Sequence, residues 1–248
     1  MALVTVLSAE VRPERRRIYE ALIAQIAEGA REKEPDLEWV GHQVTAGNVN
    51  SFAFVSAADD WSELEARGDI EERIIDALGE DLAIEVLDEL AECTVSERYS
   101  VARARPDLSC LPNTAEAEQP IHSITMFHAR AGEQDGLEEL IRKVSQAIPA
   151  TGDSRRFTTY QVVVGDLRSY FTVMPLASLE DLDARAPADL LQAAFGAEGV
   201  LIHRNGLNAV DRIAREMTRV RPEMSTALWT RKLPVRARAA SAGAAAID

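Results

Sequence analysis

Only two of the 248 residues are cysteine, Cys93 and Cys110, and only four are histidine. The two thiols stand in neither a zinc-ligand nor a thioredoxin spacing, so the expectation is a pair of free thiols in a reducing, cytoplasmic compartment. Basic residues are outnumbered: 27 Lys and Arg against 41 Asp and Glu leave a formal charge of −14. Such a surface repels nucleic acid and anionic lipid, and neither is expected as a partner. No apolar run approaches the roughly 18 to 20 residues that a membrane span needs. The apolar opening MALVTVLSAEV lacks a basic leader and runs into RPERRR, so it reads as a first strand rather than a secretion signal. Missing too are a nucleophile elbow, a phosphate-cradling glycine loop, a dinucleotide fingerprint and a zinc-type His-Glu motif. Those absences argue against nucleotide-driven and classical hydrolytic chemistry. What remains, 46% hydrophobic and 27% charged residues, is the composition of a folded chain with one large core or two ordinary ones.

The chain repeats itself. HQVTAGNVNSFAFVSAADDWSELEAR (42–67) lies over YQVVVGDLRSYFTVMPLASLEDLDAR (160–185) without a gap, with eight identities in 26 positions where average composition gives roughly two. Gln43 meets Gln161, Gly47 meets Gly165, and Ser51 meets Ser169. Downstream, RARPDLS (103–109) matches RVRPEMS (219–225); upstream, VTVLSAE (4–10) lies over ITMFHAR (124–130), which sets His128 on Ser8. The implied division is a first repeat over 1–110, a linker over 111–120 with the prolines and small polar residues of LPNTAEAEQP, a second repeat over 121–228, and a basic, alanine-rich tail over 229–248.

Each repeat has one element order. A β-branched first strand precedes a helix in which Ile18, Leu22, Ile23, Ile26 and Ala30, or Leu137, Leu140, Ile141, Val144 and Ile148, fall at the spacing of one buried face. Two strands follow around Gly47 and Asn48, or Gly165 and Asp166. A helical stretch over about 59–92, interrupted near Gly68 and Gly79, leads to a closing strand that Pro106 or Pro222 ends, because proline has no amide hydrogen for a ladder.

Strand, helix, strand, strand, helix, strand is the split βαβ order of a ferredoxin-like unit. Two such units in one chain can close sheet on sheet. The sequence thereby resembles the dimeric α+β barrel superfamily, in which two ferredoxin-like units share a barrel. The expected fold class is α+β: two ferredoxin-like βαββαβ repeats whose antiparallel sheets pack as an intramolecular dimeric α+β barrel. The resemblance covers about 220 residues by element order and repeat, and carries no catalytic signature.

A closed barrel can hold a ligand cavity, and two strand faces compete to line it. One carries Val40, His42 and Val44, matched by Thr158, Tyr160 and Val162; the other carries Trp39, Gly41, Gln43 and Thr45, matched by Phe157, Thr159, Gln161 and Val163. His42, Tyr160 and His128 are the candidate acids and bases. Each has a bland alternative as a half-buried residue with one satisfied hydrogen bond. Gln43, Gln161, Arg103 and Arg219 recur in both copies and are candidate ligand contacts, while Arg105 and Arg221, next to Asp107 and Glu223, read as salt-bridged strand ends or a seam between copies. His122 and His128, six apart, need a third ligand to hold a metal, so no metal site is expected. The resemblance to small monooxygenases and cyclase-like members implies a small, mostly apolar ligand, transformed without a tightly bound cofactor. Two alternatives stand beside it: a non-catalytic module docking a protein partner through its surface and 229–248, and a haem-binding barrel. Self-association is a further expectation.

Overall fold

The computed structural model describes residues 2–110, 121–183 and 186–227; the expected linker and tail lie outside these. The first half runs β1 (Leu3–Val11), α1 (Arg16–Lys33), β2 (Val40–Ala46), β3 (Ser51–Ala58), α2 (Trp61–Ala66), α3 (Ile70–Leu78), α4 (Glu80–Cys93) and β4 (Thr94–Ala104). The second runs β5 (Ile121–Ala129), α5 (Gln134–Ala150), β6 (Thr158–Val164), β7 (Ser169–Leu176), α6 (Pro187–Phe195), α7 (Ala197–Asn208) and β8 (Val210–Val220). No helix among the described residues is long and apolar enough to cross a membrane.

Local chemistry sets the element ends. Asp60 and Asp69 accept hydrogen bonds from the amides of Glu63 and of Glu71 and Glu72, capping α2 and α3. Gly79, at φ 88°, separates α3 from α4, and Gly196, at φ 60°, separates α6 from α7. The left-handed backbone there favours glycine, which has no Cβ to clash.

The eight strands close into a barrel in the order β1-β3-β2-β8-β5-β7-β6-β4. Within it β4-β1-β3-β2 belongs to the first half and β8-β5-β7-β6 to the second, so the halves meet along two antiparallel seams, β2 with β8 and β4 with β6. The helices pack outside. Phe52 and Phe54 of β3 bury against Tyr19, Leu22 and Ile26 of α1, and Phe157 and Tyr170 bury among Leu137, Leu140 and Ile141 of α5. Each half therefore has its own sheet-on-helix core.

Strand register moves one part of the sequence alignment. Val4 lies opposite Ala57 and His122 opposite Pro175, while the ladder shifts at Glu10/Val11 in β1 and at His128/Ala129 in β5. The ungapped match of 42–67 with 160–185 therefore extends through the first strands. His122 corresponds to Val4, Met126 to Ser8, and His128 to Glu10 rather than to Ser8. A slip of two residues leaves every side chain on its own face, and apolar alternation could not reveal it.

The matching RARPDLS and RVRPEMS segments stand at the two seams. Arg105, at the end of β4, bonds Asp107 at 2.8 Å and reaches into the other half to Glu138 at 2.6 Å and Gln161 at 2.9 Å. The Tyr170 hydroxyl donates to Glu138 at 2.8 Å. At the second seam Arg221 bonds Glu223 at 2.6 Å and reaches Glu20 at 3.5 Å and the Gln43 side-chain oxygen. Hydrogen bonds from Arg105 hold the Glu138 and Asp107 carboxyls below their ordinary range. Each arginine thus ties its own strand end to the opposite half.

Candidate functional site

Register and burial decide which face lines the barrel. Along β3, Phe52, Phe54 and Ala58 are buried under the helices, while Ala53, Val55 and Ala57 between them are only half-buried. Along β7, Tyr170 and Leu176 are buried and Phe171, Val173 and Pro175 are half-buried. The accessible phase is the one opposite Val4, Val6 and Ser8 in β1, which points away from the helices. The barrel interior is therefore reachable by solvent. Accessibility is graded along the strands: Val4 and His122 are 2% and 1% exposed at one end, whereas Met126 is 36% exposed and Ser8 and Arg98 are exposed toward the other. The interior has a buried floor and an open mouth.

His42 and Tyr160 both point inward, since His42 lies opposite Ala53 and Tyr160 opposite Phe171 and Ala104. They do not share one environment. His42 packs edge-on against His122 from the other half, ring centroids 5.4 Å apart, with Thr218 Oγ1 3.5 Å from its Nδ1. Burial, and next the neighbouring His122, push its pKa down to about 3; burial lowers His122 to about 4. Both imidazoles are neutral near pH 7 and can accept a proton only transiently. Tyr160 stacks on Phe171 at 5.0 Å, and burial raises its phenol to about 12.

His128 is also on the inward face, close to the mouth, where its Nδ1 lies 2.9 Å from Asp166 in the β6–β7 turn and 3.4 Å from the Ser169 hydroxyl. Gln43 and Gln161 lie in the opposite phase, beside Phe52 and Tyr170 on the helix side, and serve Arg221 and Arg105 in the seams. Arg103 and Arg219 are their register partners and share that outward face. None of the four lines the cavity, because one residue along a strand reverses the direction of its side chain. No group of three or more His, Cys, Asp or Glu placed to hold a metal occurs among the described residues.

Several cavity residues were not singled out in the sequence. One hydrogen-bonded row crosses the first half as Arg98, Ser8, Ala53 and His42. Its counterpart in the second half is Ala214, Met126, Phe171 and Tyr160. Small side chains separate a cation from an imidazole in the first row, whereas thioether and rings fill the second. The two equivalent inward rows therefore differ in side-chain volume, small in the first and large in the second. The signal was present in the sequence as Ser8 and Ala53 against Met126 and Phe171, but it needed the register above to be read.

No family model and no curated protein matches the sequence. Solved structures do resemble the fold. An anthrone oxidase-like protein superposes with TM-score 0.58 at 15% identity, over 92% of this chain and 94% of its own. A candidate monooxygenase from Lactobacillus acidophilus NCFM gives 0.53 at 6% identity, over 88% and 93%. Chlorite dismutase from Candidatus Nitrospira defluvii in complex with imidazole gives 0.51 at 12%, over 90% and 92%. At such identities the likeness speaks for architecture alone: the chain shares with these structures an α+β fold built on a closed antiparallel barrel.

Proposed function

We propose that two ferredoxin-like repeats, joined by an ancestral duplication, enclose a binding slot for a small, mostly apolar molecule, and that His42 takes a proton from it. The observation that supports this reading is the asymmetry of the two rows: the wall between His42 and the mouth is lined by Ser8 and Ala53, while the equivalent wall beside Tyr160 is filled. Burial makes the imidazole a weak base, with its pKa lowered to about 3, so a proton taken by His42 is held only while the anion it leaves behind stays beside it. Removing a proton from an acidic C–H or O–H leaves an electron-rich anion. Return of that proton at a second carbon completes an isomerisation. With dissolved dioxygen as oxidant, a CH2 group becomes C=O and one water is released, a monooxygenation that needs no bound cofactor. The solved structures described as monooxygenase and anthrone oxidase-like favour the oxidative branch.

His42→Ala tests the reading. Thermal unfolding should remain cooperative while ligand binding or ligand-dependent oxygen uptake falls by at least tenfold; equal binding and uptake by wild type and variant across a panel of small apolar compounds refutes it.

A second reading, a docking module, is favoured by the exposed Val95, Tyr99, Val164 and Leu167 at 57%, 54%, 45% and 60%, near the seam where Val101 pairs with Val164. Deleting residues 230–248 should then remove a co-purifying protein without changing the melting temperature. For haem, the fit is poor at His42 and His122, whose rings occupy each other's approach; His128, held at Nδ1 by a carboxylate as metal-binding histidines commonly are, is the residue that would carry the iron. Hemin titration decides this, and an unchanged Soret band removes the branch.

A further inference from the structure

Arg98 lies on the same inward face as His42. It is exposed, lies opposite Ser8 on the inward phase of β4, and no carboxylate of a described residue lies within ion-pair distance of it. Arg212, the inward residue of β8 opposite His128, likewise holds no acid of a described residue, whereas the seam arginines Arg105 and Arg221 do. The other inward acids are placed elsewhere. Glu10 stands in the next row toward the rim, opposite Ser51 and Ser96. Glu216 leans on the β2–β3 turn, its Cγ 2.9 Å from where a Cβ on Gly47 would sit. The equivalent position in the plugged half is Ala214, so the fold itself does not call for an arginine there.

From these placements we infer that the slot's ligand carries an anionic group, a carboxylate, sulfonate or phosphate, which Arg98 binds at the mouth while the apolar body lies over Ser8 and Ala53 toward His42. This rests on the binding reading above and narrows it to amphipathic anions. Arg98 and His42 are three interstrand steps apart, about 14 Å of wall, before their side chains reach toward one another. A guanidinium offers paired donors to such a group, and the apolar walls strengthen the attraction relative to open water. The arrangement also orients the ligand: anchored at Arg98, only its far end meets the imidazole.

Two fluorescent probes with one aromatic body separate the possibilities: anilinonaphthalene sulfonate and the uncharged phenylnaphthylamine. The full-length protein should bind the sulfonate more tightly than the neutral probe by about tenfold in low salt, with the gap narrowing as salt is added. Arg98→Ala, which copies the second half, should abolish the preference and leave the neutral probe's affinity unchanged, and Arg98→Lys should restore part of it. Ala53→Phe, which also copies the second half, should remove both probes. Persistence of the sulfonate preference in Arg98→Ala and Arg98→Gln overturns the inference alone. Undiminished binding of both probes by Ala53→Phe, or no binding by the wild type, overturns the slot reading and the inference with it.

Discussion

The two halves of this barrel share an outline and differ inside. In the first, the row from Arg98 to His42 passes over Ser8 and Ala53; in the second, the row from Ala214 to Tyr160 passes over Met126 and Phe171. Both outer faces carry aromatic and aliphatic side chains onto a long helix, with single exchanges such as Phe54 for Thr172. The contrast teaches that packing holds the outer face of each sheet to one pattern, whereas the inner face is free to become floor, plug or slot.

Swapping residues between the halves tests that contrast. The largest effect is expected for Ala53→Phe, which should plug the first slot and weaken ligand binding by a hundredfold or more, about 3 kcal/mol, in a fluorescence or calorimetric titration. The reciprocal Phe171→Ala should open the second slot at a cost of about 2 kcal/mol of stability by urea unfolding, less than a fully buried Phe because the ring is half-exposed. No change in either measurement would mean that the two rows are equivalent after all.

The seams give a smaller effect. Arg105 serves Glu138, Asp107 and Gln161 with Tyr170 closing the network, whereas Arg221 holds Glu20 only at 3.5 Å. Arg105→Ala should therefore cost about 2 kcal/mol and Arg221→Ala about 1 kcal/mol, and the reverse order in urea midpoints would contradict the geometry.

The pH dependence probes the two buried imidazoles, His42 of the first half and His122 of the second. His42 and His122 have folded-state pKa values lowered to about 3 and about 4, so between those values and about 6.5 the unfolded chain binds more protons than the folded one. Stability must then rise with pH across that window and fall as pH drops from about 6.5 toward 4, by up to about 1.4 kcal/mol per pH unit for each histidine. The seam carboxylates Glu138 and Asp107, whose pKa values are depressed, add their loss only as pH falls below the ordinary carboxylate range. His42→Tyr, which again copies the second half, should roughly halve the slope above pH 5, His122 supplying the rest; an unchanged slope would mean that the imidazole is not neutral by burial.

Much of the fold was legible because it is written twice. The glycines at 47 and 165, the prolines at 106 and 222 and the helix faces of Leu22 and Leu140 act locally, and local chemistry can be read from neighbours in the chain. The site was less legible. His42, Tyr160 and His128 do face inward, but Gln43 and Gln161 looked equally eligible, since a strand offers its two faces with the same period. Their recurrence reflected the seam arginines rather than a ligand. Arg98 sits in an exposed stretch of β4 with no motif around it, and only the closed barrel brings it into line with His42.

The sequence by itself determined the element order and the internal similarity, because hydrophobic period, turn residues and repeat are properties of a chain read in one dimension. The tertiary structure decided the direction of each strand face, the equivalence of β1 with β5, and hence which inward row carries the small side chains. Those depend on which residues stand opposite one another across four strands, and side-chain volume means open space or filled space only once its neighbours on the other strands are known.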